Sequence, residues 1–110
     1  MRSYVLDEIS PADMEKISRF LKRNALESPL ESIYWLEIPL DLYSGTQSEH
    51  RDCAPYVFAT EAGHDWVKLE FFIRSRKGLG CECQGYCTPG QRDFVMNFAD
   101  RMVEVCAANT

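Results

Sequence analysis

Two rhythms of apolar residues divide this chain. Residues 3–9, "SYVLDEI", are short and rich in β-formers and read as a first strand. Behind them Met14, Ile17, Leu21 and Ala25, with Phe20 alongside, recur at helical spacing. The start of that helix is marked: Ser10 is the N-cap, Pro11 sits at the first helical position, and Asp13 stands three residues past the cap. Ile9 and Met14 are placed to form a hydrophobic staple. Lys16, Arg19, Lys22 and Arg23 lie on the opposite face, where basic residues late in a helix complement its dipole. Pro29 closes the unit.

The rhythm then shifts to a period of two. Over 33–43, "IYWLEIPLDLY", Tyr34, Leu36, Ile38, Leu40 and Leu42 share one face, which predicts a strand. Pro39 cannot donate to a ladder, so this strand is expected at an edge or bulged. Residues 44–55 are polar and without period, a long loop. "YVFATEAGHDWVKLEFFIRS" predicts a hairpin turning around Ala62 to Asp65. Its second strand points Val67, Leu69, Phe71 and Ile73 one way, and Trp66, Lys68, Glu70, Phe72 and Arg74 the other. Thr88, Pro89 and Gln91 repeat the helix-start signals, and Phe94, Phe98, Met102 and Cys106 give the final helix its apolar stripe.

The order is therefore β-α-β-β-β-α. It predicts a single α+β domain over residues 1–110, a two-layer sandwich with two helices on one face of a mainly antiparallel four-stranded sheet. Two helices on one side leave the other sheet face uncovered, with Trp35, Trp66 and Phe72 among charges. These three are the expected interface residues, for a homodimer or another protein partner.

At 110 residues the chain has room for one core. A net charge of −5 argues against nucleic acid as a partner. No apolar run is long enough to span a membrane, and Asp7 and Glu8 fall where a secretory signal would be apolar. A cytoplasmic protein is expected, with no membrane partner. No phosphate-binding loop, nucleophile elbow or His-Glu-x-x-His motif occurs. The charges Glu37, Asp41, Glu70 and Lys68 read as cross-strand pairs rather than acid–base catalysts.

The chemistry gathers in "GLGCECQGYCTPGQ", residues 78–91. Three of the five cysteines and four of the six glycines (Gly78, Gly80, Gly85 and Gly90) lie there. An odd cysteine count without an export signal shifts weight from disulfides toward metal binding, redox chemistry or simple burial. Cys81 and Cys83 flank Glu82. In extended backbone their thiols share a side, with Cα atoms about 6.6 Å apart. For zinc, Cys81, Cys83 and Cys87 need a fourth donor, and His50-x-x-Cys53 in the polar loop supplies candidates, with His64 a further one. The spacing lacks paired Cys-x-x-Cys knuckles, so a thiol-redox site using Cys81, Cys83 and Cys87 and a plain Gly-rich connection both remain open. Cys87, just before the Thr88 cap, is expected to ionise readily. Cys106 reads as core filling. The expectation is a small non-catalytic interaction or accessory domain whose cofactor, if it has one, is zinc.

Overall fold

The computed structural model describes residues 2–26, 28, 30–77 and 80–108. Pro29 and Gly78, singled out above, lie outside the described residues. The architecture is α+β with an antiparallel sheet, and it is richer than the expected four strands and two helices: the described residues form six strands and three α-helices. They are β1 (Ser3–Leu6), α1 (Pro11–Asn24), β2 (Ile33–Glu37), α2 (Gly45–Glu49), β3 (Tyr56–Ala62), β4 (Val67–Glu70), β5 (Phe72–Ser75), β6 (Gly85–Tyr86) and α3 (Pro89–Ala108). Short 3₁₀ turns at Leu40–Leu42 and Arg51–Cys53 flank α2.

Each departure from the sequence reading has a local cause. The first strand stops at Leu6, and Glu8 then takes a positive φ of 55°, which no strand accommodates. Strand β2 stops at Glu37 because Pro39 has no N–H to offer. The last ladder-like bond is Ile38 N–H to the Tyr56 carbonyl, 3.1 Å. The expected strand through residues 66–74 breaks at Phe71. Strand β3 pairs Thr60 with Leu69 but Val57 with Arg74, so three steps along β3 face five along β4 and β5. The surplus residues bulge: Phe71 N–H donates to the Arg2 carbonyl, and its own carbonyl accepts from Cys87 N–H. That detour lets β5 also pair with β6, through Phe72↔Tyr86 and Ile73↔Gly85.

The core forms where the two rhythms meet. Met14, Ile17 and Leu21 of α1 and Val95, Ala99, Met102 and Cys106 of α3 join Leu36, Tyr56, Phe58, Val67, Leu69 and Ile73 in one buried cluster. Ile17, Leu21, Phe58 and Val95 have no exposed surface, each worth about 1.5–3 kcal/mol of burial. Ser10 caps α1 through its Oγ, which accepts from Asp13 N–H at 3.2 Å. Trp66 falls in the β3–β4 turn rather than in a strand. Its indole lies over Gly63, where a Cβ would come within 2.1 Å of the ring, so only glycine fits beneath it.

Candidate metal centre

The sheet register brings two distant segments to one place. Strand β3 begins at Tyr56, opposite Ser75 at the end of β5. Residues just before β3 and just after β5 therefore leave the sheet at the same end. The first segment is the polar stretch 44–55, which is ordered rather than patternless. Ser44 and Gln47 form a capping box that starts α2: Ser44 Oγ accepts from Gln47 N–H at 3.2 Å, and Gln47 Oε1 accepts from Ser44 N–H at 2.9 Å. The helix ends at His50, and the 3₁₀ turn after it places Cys53 one turn on, its N–H donating to the His50 carbonyl at 3.0 Å. The second segment is the connection to β6. Gly80 has φ of 81°, a conformation other residues resist, and it delivers Cys81 and Cys83 back toward the sheet.

The donor atoms of His50, Cys53, Cys81 and Cys83 all lie within 4.8 Å of one another. His50 Nδ1 stands 3.1 Å from Cys81 Sγ, and all four thiols of this region, Cys53, Cys81, Cys83 and Cys87, are free. A tetrahedral zinc with Zn–S near 2.3 Å and Zn–N near 2.0–2.1 Å separates its donors by about 3.5–3.8 Å, so the cluster needs only a small contraction. Three thiolates and one imidazole also suit zinc by softness. With Nδ1 turned to the thiols, Nε2 points outward, 4.0 Å from Oε1 of the exposed Glu82 and beyond hydrogen-bond reach.

Polar groups inside the fold hold these donors in place. The Cys83 carbonyl accepts from Gln47 Nε2 at 3.1 Å, and the His50 carbonyl accepts from the Tyr56 hydroxyl at 2.7 Å. Ser75 Oγ donates to the Cys53 carbonyl, and Ser75 N–H donates to Gln84 Oε1 at 2.8 Å. Gln91, the capping residue of α3, donates through Nε2 to Gln47 Oε1 at 2.8 Å and to the Leu42 carbonyl at 2.9 Å. Gln47 and Gln91 are 3% and 1% exposed, so the starts of α2 and α3 are wired together beneath the cysteines. The sequence reading missed Gln47, Tyr56, Ser75 and Gln84. The Ser-x-x-Gln spacing at 44–47 was a visible signal for the first of these.

Electrostatics separates the thiols. The Cys83 backbone N–H, then the Cys83 thiol, hold Cys81 down to about 7. Burial, reinforced by Cys83 and Cys81, pushes Cys53 up to about 11. Tyr56 is raised by burial and by Cys83 beside its hydroxyl. In metal-free protein near pH 7.5 Cys81 is mostly thiolate and Cys53 mostly thiol. Even after allowing for the weaker nucleophilicity of a low-pKa sulfur, an aromatic disulfide reagent should attack Cys81 roughly tens-fold faster than Cys53. Peptide mapping of partially labelled protein checks this, and equal labelling of the two would contradict the assignment.

Cys87 is not part of the cluster. It lies by Arg2, Ser3, Phe71, Tyr86 and Arg92, and its N–H is bonded to Phe71. Nor is it poised to ionise: burial pushes it up to about 11, outweighing its own backbone N–H and then Arg92. The expected interface residues also separate. Trp35 packs under Arg76, at 5.3 Å from the ring centroid, and lines a groove with Ala59, Glu61, Lys68, Glu70 and Arg74. Phe72 meets Tyr86 edge-on at 5.3 Å, while Trp66 sits over Gly63. No ring contact joins the three among the described residues. The charges nearby pair across strands, Lys68 with Glu61 at 3.5 Å, and along the chain, Arg74 with Glu70 at 3.0 Å. No described helix is long and apolar enough to cross a membrane. Compared with protein families, with curated proteins and with solved structures, the chain matches none.

Proposed function

We propose that the protein is a small non-catalytic interaction domain whose α2 region and β5–β6 connection are stapled together by one zinc ion on His50, Cys53, Cys81 and Cys83. The observation that carries this reading is the convergence of four zinc-type donors, from segments about 30 residues apart, to within 4.8 Å. Four protein donors fill a tetrahedral shell and leave no open position for substrate, which makes the site structural rather than catalytic. A reducing, cytoplasmic address belongs to the same reading, because it keeps thiols available for metal. Intact mass under native and denaturing conditions tests it. One zinc per chain is expected, lost on denaturation, and metal-free untagged protein with five titratable thiols refutes it.

One observation favours a second reading, a thiol switch: Cys81 is held near 7 beside two further thiols. It predicts native protein about 2 Da lighter than its reduced form and free of metal.

The interaction surface in this proposal is the sheet face away from the helices, used for homodimerisation. Its support is the Trp35 groove, where Trp35 and Ala59 lie among Glu61, Lys68, Glu70 and Arg74. Trp35→Ser should shift the protein toward monomer in sedimentation while moving its melting temperature by only a few degrees. Unchanged sedimentation would remove this face from the proposal.

A further inference from the structure

On the opposite side of the molecule α1 and α3 leave a groove that neither the sheet nor the metal centre uses. Its floor is apolar: Phe20 from α1, and Phe94, Phe98, Met102 and Val105 from α3. Val105 is 54% exposed. A second hollow, lined by Lys16, Arg19, Arg23 and Cys106, shares Phe20 and Val105 with it. The two parts enclose about 490 and 320 Å³. Four cations, Lys16, Arg19, Arg23 and Arg101, border the apolar floor, and no carboxylate lines either part, although the chain as a whole carries −5. Lys16 Nζ reaches across to the Cys106 carbonyl, 3.5 Å, while Arg19, Arg23 and Arg101 enter no ion pair with the described residues. The basic residues of α1 that complement its dipole thus also form one wall of a cleft.

We infer that this groove is a docking site for an acidic amphipathic helix of a partner protein, its leucine-like face on Phe20, Phe98 and Val105 and its carboxylates against Arg19, Arg23 and Arg101. Charge complementarity selects this occupant. A second copy docked about a twofold axis would set the same cations against each other. A nucleic acid long enough to leave the groove would meet the acidic remainder of the surface. The phenyl rings are also already engaged, Phe20 with Phe98 at 6.0 Å and 47°, and Phe98 with Phe58 beneath at 5.9 Å, so they serve as a floor rather than as platforms for bases. An apolar stripe with Lys16, Arg19 and Arg23 along one side and Arg101 on the other matches a helix with residues at i, i+3, i+4 and i+7 buried and glutamates flanking them.

The probe is a synthetic peptide of about 15 residues with leucines at helical spacing and glutamates between them. Its controls are the same composition with the leucines dispersed and a version with lysine for glutamate. Titration of full-length, metal-replete protein, followed by amide shifts, should show saturable binding of the first peptide alone, centred on α1 and the second half of α3. Raising salt from about 0.05 to 0.3 M should weaken it several-fold. Arg19→Glu combined with Arg101→Glu should weaken it at least about tenfold with an unchanged melting curve, since both side chains are exposed and outside ion pairs. Should that pair fail to fold, Val105→Glu, at a single exposed position, must give the same loss. No binding at millimolar peptide, equal binding of the controls, or variants that bind as the parent does would overturn the inference. So would anionic vesicles or an oligonucleotide occupying the groove in place of the peptide, or a dimer that dissociates on Arg19→Glu.

Discussion

Cys83→Ser should yield protein without bound zinc and with most of its folding stability gone. Cys83 is the most buried donor of the cluster, at 3% exposure, and it belongs to the same apolar core as Tyr56, Phe58 and Ile73. A structural zinc contributes on the order of 10 kcal/mol of binding free energy, which becomes folding free energy where the site exists only in the native chain. Domains of this size hold only about 5–15 kcal/mol in total. The loss should therefore show both as about one equivalent of metal released and as a melting transition lowered by tens of degrees or absent. A strong chelator applied to the parent protein should reproduce the effect without any substitution, and zinc should reverse it. Cys87→Ser is the matched control. It changes a thiol six residues from Cys81 that lies outside the cluster, and it should leave the zinc content intact. If chelation does not move the melting curve, the staple is absent.

The second large effect is expected at Gln47. Replacing it with alanine removes the donor to the Cys83 carbonyl, the acceptor of Gln91 Nε2 and the acceptor of Ser44 N–H at one stroke. Each buried group left without a partner costs about 1–3 kcal/mol, so Gln47→Ala should cost about 2–4 kcal/mol after partial relaxation. Because the Cys83 backbone is then free to shift, zinc affinity should also fall, by about tenfold or more, as for other residues that orient metal ligands. The corresponding change at Gln91 should be strongly non-additive with it, since the two amides share a bond. Denaturant titrations of both single variants and the double variant, with zinc competition, measure both quantities. Additive stabilities would mean that the two helix starts are not coupled through this pair.

Both expectations rest on features of unequal visibility in the sequence. The two long helices were legible because their signals are local: Ser10 and Pro11 before the stripe of Met14, Ile17 and Leu21, and Thr88 and Pro89 before that of α3, whereas α2 fell in a stretch read as a loop. The α+β class followed from the same periodicities. What escaped were features decided by partners far along the chain. The bulge at Phe71 depends on Arg2 and Cys87, which bond its N–H and its carbonyl respectively, and the two-residue strand β6 exists only because β5 is there to pair with it. In the cysteine loop, composition raised metal binding, redox chemistry and plain burial together and could not rank the thiols. Cys87 is near its neighbours in sequence yet is carried off beside Phe71, while Cys53 is 28 positions before Cys81 and is brought back by the register of β3 on β5. Burial also reversed the ionisation expected for Cys87, which is itself part-buried beside Phe71 and Tyr86 although the first residues of the helix it precedes are exposed.

The position of the four donors at one end of the β3–β5 pair has a topological consequence. An ion held by Cys53 and Cys81 would close a ring of about 28 residues around β3 and the two strands, β4 and β5, that pair with it. By analogy with a disulfide of that span, such a tie would restrict the denatured chain by about 3–4 kcal/mol in entropy alone. These three strands would then open as a unit when the tie is cut, and their amides would lose exchange protection together while those of α1 keep theirs longer.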